Sequence, residues 1–247
     1  MAAPAPTPAG YTIEKLTRAD LPRLSEIGQA AFEHDTHTRM KMHEKGVTDL
    51  GSELEPVEYL EHLLSDPAVQ MIKIVDSSGK MVGYSNWRLS KPRDPDPSVP
   101  PLDAPVSHPD HPVRASDPPL EQMRNITSGH MNGLAARANA TTQSFFCTGI
   151  SVDPATQARG AGSAMIGWAA AQADRYGARS WVHLSDHAGG VRAFEKHGYK
   201  VVNAVTVDLD AYATKAHEGK KWGSYTFRFL VREPQPQGKA LPQTSEE

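Results

Sequence analysis

The sequence predicts an α/β fold: one mixed, mostly antiparallel central sheet with helices on both faces, interrupted once by a long Pro-rich insertion. Three observations predict it. Strand-like and helix-periodic runs follow each other in the order strand, two helices, three strands, helix, strand, helix, two strands. The run around Phe145 and Phe146 is apolar on both faces, as a central strand is. It feeds through a two-glycine loop directly into an amphipathic helix.

Taken in order, Tyr11 to Thr17 alternates enough for a first strand, and Asp20 is placed as the N-cap of a helix running to about Phe32 through Leu21, Leu24, Ile27 and Ala31. His34 to Ser52 is polar and reads as a connection. A second helix carries Pro56 in its first turn and Val57, Leu60 and Leu64 on its apolar face. Val69 to Val75 and Met81 to Leu89 read as a hairpin around Asp76-Ser77-Ser78-Gly79. Ten of the chain's 20 prolines fall between Lys91 and Pro119, which excludes a central strand or a helix interior. The insertion is placed between the third and fourth strands, over residues 91–142. Its end, Leu120 to about Ala138, is helix-compatible, weakened by Gly129 and Gly133.

Ser144 to Val152 is the central strand, with Gly149 as a bulge. Then come a helix from about Gly160 to Tyr176, a strand at Ser180 to Leu184, and a short helix from Ala188 to His197 that Gly198 ends. Tyr199 to Asp208 and Ser224 to Arg232 pair antiparallel across the loop Leu209 to Gly223. The whole is a single domain over 11–233, between a flexible amino terminus, 1–10, and a flexible Pro/Gln-rich tail, 234–247.

Composition removes several functions. In 247 residues, 26 Lys+Arg against 29 Asp+Glu leave a net charge of -3, which gives no electrostatic footprint for nucleic acid. No run of about 18 apolar residues occurs, and Met1 to Gly10 lacks the features of a signal peptide, so neither membrane spanning nor secretion is expected. Cys147 is the only thiol, which excludes an intrachain disulfide and a four-cysteine zinc site; a reducing, cytoplasmic setting fits. Glu33-His34-Asp35-Thr36-His37 holds metal-ligating residue types but lacks further well-spaced ligands, so no metal is expected.

The chemistry concentrates in Ile150-Ser151-Val152-Asp153-Pro154-Ala155-Thr156-Gln157-Ala158-Arg159-Gly160-Ala161-Gly162-Ser163. A strand stops at Pro154, two glycines permit close backbone approach, and the first-turn amides of the following helix lack intrahelical partners. Such a turn receives an anion, and Arg159 adds a planar charged donor. A dinucleotide fingerprint begun at Gly160 would need glycine where Met165 stands, and a P-loop on Gly162 and Gly167 would need lysine where Trp168 stands. What remains, Gln-x-x-Gly-x-Gly after a strand ending in Val-x-Pro, resembles motif A of the Gcn5-related N-acetyltransferase (GNAT) superfamily, its fungal-type members included. The stretch Leu184 to Tyr199, with Phe194-Glu195-Lys196-His197-Gly198-Tyr199, looks like that family's fifth strand and fourth helix.

The resemblance implies acetyl-CoA as the acetyl donor. The backbone of Ile150, Ser151 and Val152 would bind the pantetheine arm where strands four and five splay apart, and Gln157, Ala158, Arg159, Gly160, Ala161, Gly162 and Ser163 would cradle the pyrophosphate. Many members place a protonating Tyr where this chain has Phe194, which can only pack on pantetheine, and a Glu base where it has Phe146. An alkylamine is neutral in only about one part in 10³ at physiological pH, a penalty of about 4 kcal/mol that a base or water chain relieves. His183 is one candidate for that relay; Glu33, His34, Asp35 and His37, after the first helix, form the other group.

Acceptor identity is expected to be set by the insertion, the exit of the first helix and the loop Leu209 to Gly223. That loop carries Tyr212, Lys215, His217, Lys220, Lys221 and Trp222, offering a stacking surface and charge; His108 and His111 lie in the insertion as exposed histidines. Glu33, Asp35, Asp49, Glu53 and Glu55 supply the opposite sign. The expected activity is acetyl transfer to a primary amine of a small molecule, directly in a ternary complex, by a monomer or homodimer. The alternatives are a non-catalytic acyl-CoA sensor and a protein N-acetyltransferase.

Overall fold

In the computed structural model, which describes residues 10–48, 50, 57–91, 98–106, 113–140, 142–215, 219 and 221–236, the alternating segments of the sequence become strands of one sheet. They are β1 Tyr11–Lys15, β2 Val69–Asp76, β3 Met81–Ser90, β4 Ser144–Val152, β5 Arg179–Leu184, β6 Lys200–Asp208 and β7 Ser224–Arg232. Their order is β1-β2-β3-β4-β5-β7-β6, and every pair is antiparallel except β4–β5. β4 is the middle strand, as its double-sided apolarity requires. Expectations about the amino terminus before Gly10, the tail beyond 236, Asp49, Glu53, Glu55, Pro56, His108, His111, His217 and Lys220 lie outside the described residues.

The helices are α1 Leu21–Phe32, α2 Thr36–Lys45, α3 Val57–Ser65, α4 Pro119–Ala138, α5 Ala161–Tyr176 and α6 Ala188–Glu195. Period-2 alternation along β5 and β7 sorts them onto two faces. Val182 and Leu230 join Trp87 and Phe145 beneath Ile166, Ala169 and Ala173 of α5. Their neighbours Trp181, Phe229 and Val231 point the other way and pack under Leu134 and Ala138 of α4. On that second face, α1 and α3 cover the β1–β3 half with Leu24, Ile27, Leu60 and Leu63 over Met71 and Tyr84.

Three local expectations are corrected. Asp20 does not cap α1: its carboxylate turns back to the Thr17 N–H and hydroxyl, at 2.8 and 2.7 Å, and accepts from Lys73 at 2.7 Å. The polar stretch after α1 holds a helix, α2, whose N-cap Asp35 accepts the Thr38 N–H at 2.8 Å and whose left-handed Gly46 ends it. Apolar periodicity could not reveal it, because only Thr38 and Met40 of α2 are buried.

The insertion is not merely extended chain. Its carboxy-terminal part is α4, a 20-residue helix seated in the core. Residues 98–106 are fastened to it by Arg137, which donates to the carbonyls of Pro101, Ala104 and Pro105 at 3.0, 2.7 and 2.9 Å. Asn203 of β6 adds bonds to the Leu102 and Ala104 carbonyls at 3.1 and 3.2 Å. Four carbonyls of this segment thereby accept from side chains, three of them from Arg137, which is 9% exposed.

Candidate active site

β4 and β5 pair only through Ser144–Arg179, Phe145–Ser180 and Phe146–Trp181, then part. Beyond Phe146, β4 keeps its bonds to β3 alone, with Gly149 opposite Asn86 and Cys147 opposite Trp87, so Thr148 is the extra residue of the expected bulge. The edge of β4 that carries Ile150, Ser151 and Val152 thus faces an opening between two strands instead of a ladder partner.

At its end the chain turns sharply. Asp153 donates its N–H to the Val82 carbonyl at 2.9 Å, and its carboxylate accepts the Ala155 N–H at 3.0 Å and the Arg23 guanidinium. Burial works to raise the Asp153 carboxyl, but these donors leave it below the usual carboxylate range. Arg23, which also reaches the Met81 carbonyl at 3.2 Å, anchors the turn to α1; its role gives no motif in the sequence. Ala158 has φ 61 and Gly160 φ 95, and among the described residues Ala158 is the sole non-glycine at positive φ. The first bond inside α5 runs from the Ala164 N–H to the Gly160 carbonyl at 2.9 Å. The amides of Ala161, Gly162 and Ser163 therefore have no acceptor within the helix. Gln157 turns its side-chain amide back to the Val152 carbonyl at 3.1 Å, the Ser163 hydroxyl meets His197 Nε2 at 2.8 Å, and Ala158 and Arg159 are exposed. Strand opening, left-handed turn and outward amides together can take an elongated ligand that carries an anionic group.

The catalytic candidates separate. His183 lies on the α4 side of β5, two residues past the last β4–β5 pair, stacked on Phe227 with ring centroids 5.3 Å apart. Its Nε2 meets His130 Nδ1 at 3.4 Å, and His130 Nε2 meets Asn203 Oδ1 at 3.1 Å. The carbonyl oxygen of Asn203 can only accept, so His130 donates from Nε2 and receives at Nδ1. His183 in turn carries its proton on Nε2 and keeps Nδ1 as a lone pair. Burial, then His130, lowers the His183 pKa to about 4, so it is neutral at pH 7. Asp35 is occupied: beyond capping α2, it accepts the Tyr225 hydroxyl at 2.5 Å. Glu33 is exposed at the carboxy end of α1.

Phe194 is 1% exposed and stands edge-on to Tyr199 at 5.0 Å, in the core under β4 and β5. The Tyr199 hydroxyl is itself buried against Ser180 Oγ at 2.6 Å, and burial raises its pKa. Cys147 is buried too, and burial pushes its thiol up to about 12.

A cleft of about 470 Å³ lies beside His183, between α2 and α4, with Phe227 on its floor. Two of the three segments expected to meet the acceptor meet there. None of the described residues of the third, the Leu209 to Gly223 loop, lines the cleft: Thr214 and Lys215 sit at the carboxy end of α2, where Glu44 accepts from them at 2.5 and 2.9 Å. Trp222 is buried against Met40 and Met123 and offers no stacking surface. His37, one of the candidates after the first helix, lines the cleft; Lys41, Lys45 and Arg124, which line it too, were missed by motif reading, although the spacing of four in His37-Lys41-Lys45 is one helix face.

No family model and no curated protein matches the chain. Solved structures do. A GNAT superfamily phosphinothricin acetyltransferase from Sinorhizobium meliloti, in complex with AcCoA, aligns over 95% of this chain and 97% of its own, with TM-score 0.53 at 14% identity. Mosquito arylalkylamine N-acetyltransferase-like protein 5b gives TM-score 0.53 at 15% identity, over 90% of this chain and 99% of its own. A Corynebacterium glutamicum protein described as histone acetyltransferase HPA2 and related acetyltransferase gives 0.52 at 14% identity, over 93% and 99%. Two of these come from bacteria and one from an insect, so the fungal-type likeness gains nothing from them. A strand opening at the middle of the sheet, beside a glycine turn that leads into α5, is set in the fold of the GNAT acetyltransferases.

Proposed function

We propose that the protein is an acetyl-CoA-dependent N-acetyltransferase that moves an acetyl group to a primary amine of a small molecule, directly and without an acyl-enzyme. One observation carries this reading: the β4–β5 ladder stops at Phe146–Trp181 while β4 runs on to Val152 and the turn at Gly160. The opening takes the pantetheine arm along Ile150, Ser151 and Val152, and the amides from Gln157 to Ser163, with Arg159, take the pyrophosphate. Structural relatives bearing phosphinothricin and arylalkylamine names support a small amine as acceptor.

In the transfer, the amine nitrogen attacks the thioester carbonyl carbon, a C–N bond forms, and the C–S bond breaks. The proton shed by the attacking nitrogen goes to a base or to water, and the departing thiolate takes one up. His183, which lines the cleft and is neutral at pH 7, is our candidate to pass the first on to water. Cys147 cannot carry the acetyl group, because a buried thiol with pKa about 12 is scarcely ionised. The phenol is missing at Phe194, and we assign the proton taken up by the thiolate to water.

The buried Phe194 is also what favours the second reading, an acyl-CoA sensor that does not turn over. Calorimetric titration with CoA, followed by acetyl-CoA turnover on a broad amine panel, separates the two. Binding with turnover is expected; binding without turnover for every amine points to the sensor, and absence of CoA binding sinks both.

A further inference from the structure

Resting on that acetyltransferase reading, we propose that His197 is a positioning residue of the donor site: its imidazole donates to the Ser163 hydroxyl, which turns the hydroxyl proton to the coenzyme pyrophosphate, and binding of that anion draws a proton onto the ring. Ser163 belongs to the first turn of α5, among the residues whose amides lack an acceptor within the helix. Its hydroxyl meets His197 Nε2 at 2.8 Å.

The ring is built into place. His197 follows α6; its N–H donates to the Phe194 carbonyl at 2.9 Å, and its own carbonyl accepts from Arg232 Nε at 2.9 Å. The Arg232 guanidinium donates in turn to both carboxylate oxygens of Asp174 in α5, at 2.7 and 2.8 Å, so the backbone of His197 is tied to α6, to β7 and through β7 to α5. The side chain lies against α5 at Gly167, four residues after Ser163 on the same helix face. A Cβ at Gly167 would stand 2.9 Å from His197 Cε1 and 3.3 Å from Nδ1, closer than packed atoms allow. Gly167 is not at positive φ, so a residue that weakens a helix interior supplies room here instead of a turn. That room lets the imidazole lie on the helix and reach Ser163.

Hydrogen-bond chemistry then fixes what the pair does when an anion arrives. A hydroxyl has one proton and two lone pairs. If it donates to the ring, it turns lone pairs to the phosphate; if it accepts from the ring, its proton is free for the phosphate, which only accepts. Anion binding selects the second arrangement, and a protonated ring enforces it. Burial, together with Arg232 and Lys196, holds the imidazole below its ordinary value, against the Ser163 backbone, which favours the charged form. Of the charged groups about the ring, Arg232 of β7 is matched by Asp174 of α5, and Arg192, Glu195 and Lys196 at the end of α6 are exposed. A pyrophosphate beyond Ser163 adds negative charge that raises the ring again, so the coenzyme binds with uptake of a proton and more tightly as pH falls through the range in which the ring titrates.

The probe is 3′-dephospho-CoA, which keeps the pyrophosphate and lacks the phosphate monoester that itself titrates at about pH 6. Calorimetric titration in buffers of low and high ionisation enthalpy counts the protons exchanged per ligand bound. The wild-type protein is expected to take up about 0.3 proton near pH 6.5, and its affinity to rise about threefold between about pH 8 and pH 6. His197→Gln keeps a donor amide but cannot titrate; it is expected to bind within about twofold of wild type at about pH 8 and to take up no proton. His197→Leu is expected to weaken binding about fivefold and Ser163→Ala about tenfold, with the double variant little worse than Ser163→Ala, since both break the same bond. Proton uptake that persists in His197→Gln, unchanged affinity in His197→Leu, or losses that add in the double variant overturn the proposal. So does a wild-type protein that binds CoA yet ignores the probe, or that binds the probe with no proton exchange. If the leucine variant does not fold, the proton count in His197→Gln still decides. Failure of the wild-type protein to bind CoA at all is a different result: it removes the acetyltransferase reading itself.

Discussion

Gly160 stands at φ 95, where any side chain is strained, and its carbonyl already serves as the first acceptor of α5. Valine there has to distort both the turn and the start of the helix, so Gly160→Val is expected to abolish measurable CoA binding in calorimetry. Arg159→Ala leaves the backbone alone and removes one charged donor, a loss of about 1 to 3 kcal/mol in CoA binding. Unchanged CoA affinity in both folded variants would remove the anion turn. This part of the site was legible in the sequence, because backbone-built sites are announced by glycine spacing. Side-chain roles were less so: Asp35 and Trp222 carry the residue types of a binding site, yet one caps α2 and the other fills a core. Nothing in a residue's type tells whether its polar atoms are already spent.

At the scale of elements, the strands could be read because burial on one or both faces imposes a period of two. α2 could not, since only Thr38 and Met40 of it are buried and its other contacts with the body are made by polar residues such as His37 and Glu44, which leave no apolar period. α4 was visible in part: Leu120 to Ala138 read as helix-compatible, weakened by Gly129 and Gly133, and packing over Trp181 and Phe229 overrides what the glycines cost. The Phe146 and Trp181 rings stack at 4.3 Å and Trp181 and Phe229 at 5.1 Å, so the helix covers a continuous aromatic floor. Arg137 joins that helix to residues 98–106. Arg137→Ala removes three bonds to this segment, leaving Pro101 with the Ala104 N–H and Ala104 with Asn203 but Pro105 without its donor, and is expected to cost about 2 to 3 kcal/mol. A lower thermal midpoint together with faster proteolysis near Ala104 would show it; an unchanged midpoint would mean that α4 holds without the clamp.

For the molecule as a whole, the histidines set the response to acid. His37 and His183 are held at about 4 in the folded chain against 6.5 when unfolded, so the unfolded state binds more protons between those values. Their contribution is fully present above pH 6.5 and is lost as pH falls towards 4, up to roughly 3 kcal/mol for each group. Asp20 and Asp153, both lowered, withdraw theirs only at still lower pH. Thermal midpoints should therefore begin to fall near pH 6.5, before the carboxylates titrate, and His37→Gln should flatten the decline between pH 6.5 and 4.5. A wild-type midpoint constant down to pH 5 would contradict the burial of both rings. The same enclosure bears on Cys147, 8% exposed beside the strand opening and the only sulfhydryl in the chain. A chromogenic disulfide reagent added to the native protein meets a silent background, so released coenzyme can be counted continuously as it forms. Run without amine, the slow labelling of Cys147 becomes a clock for how often the two strands spread, and a ligand lodged between them should stop it.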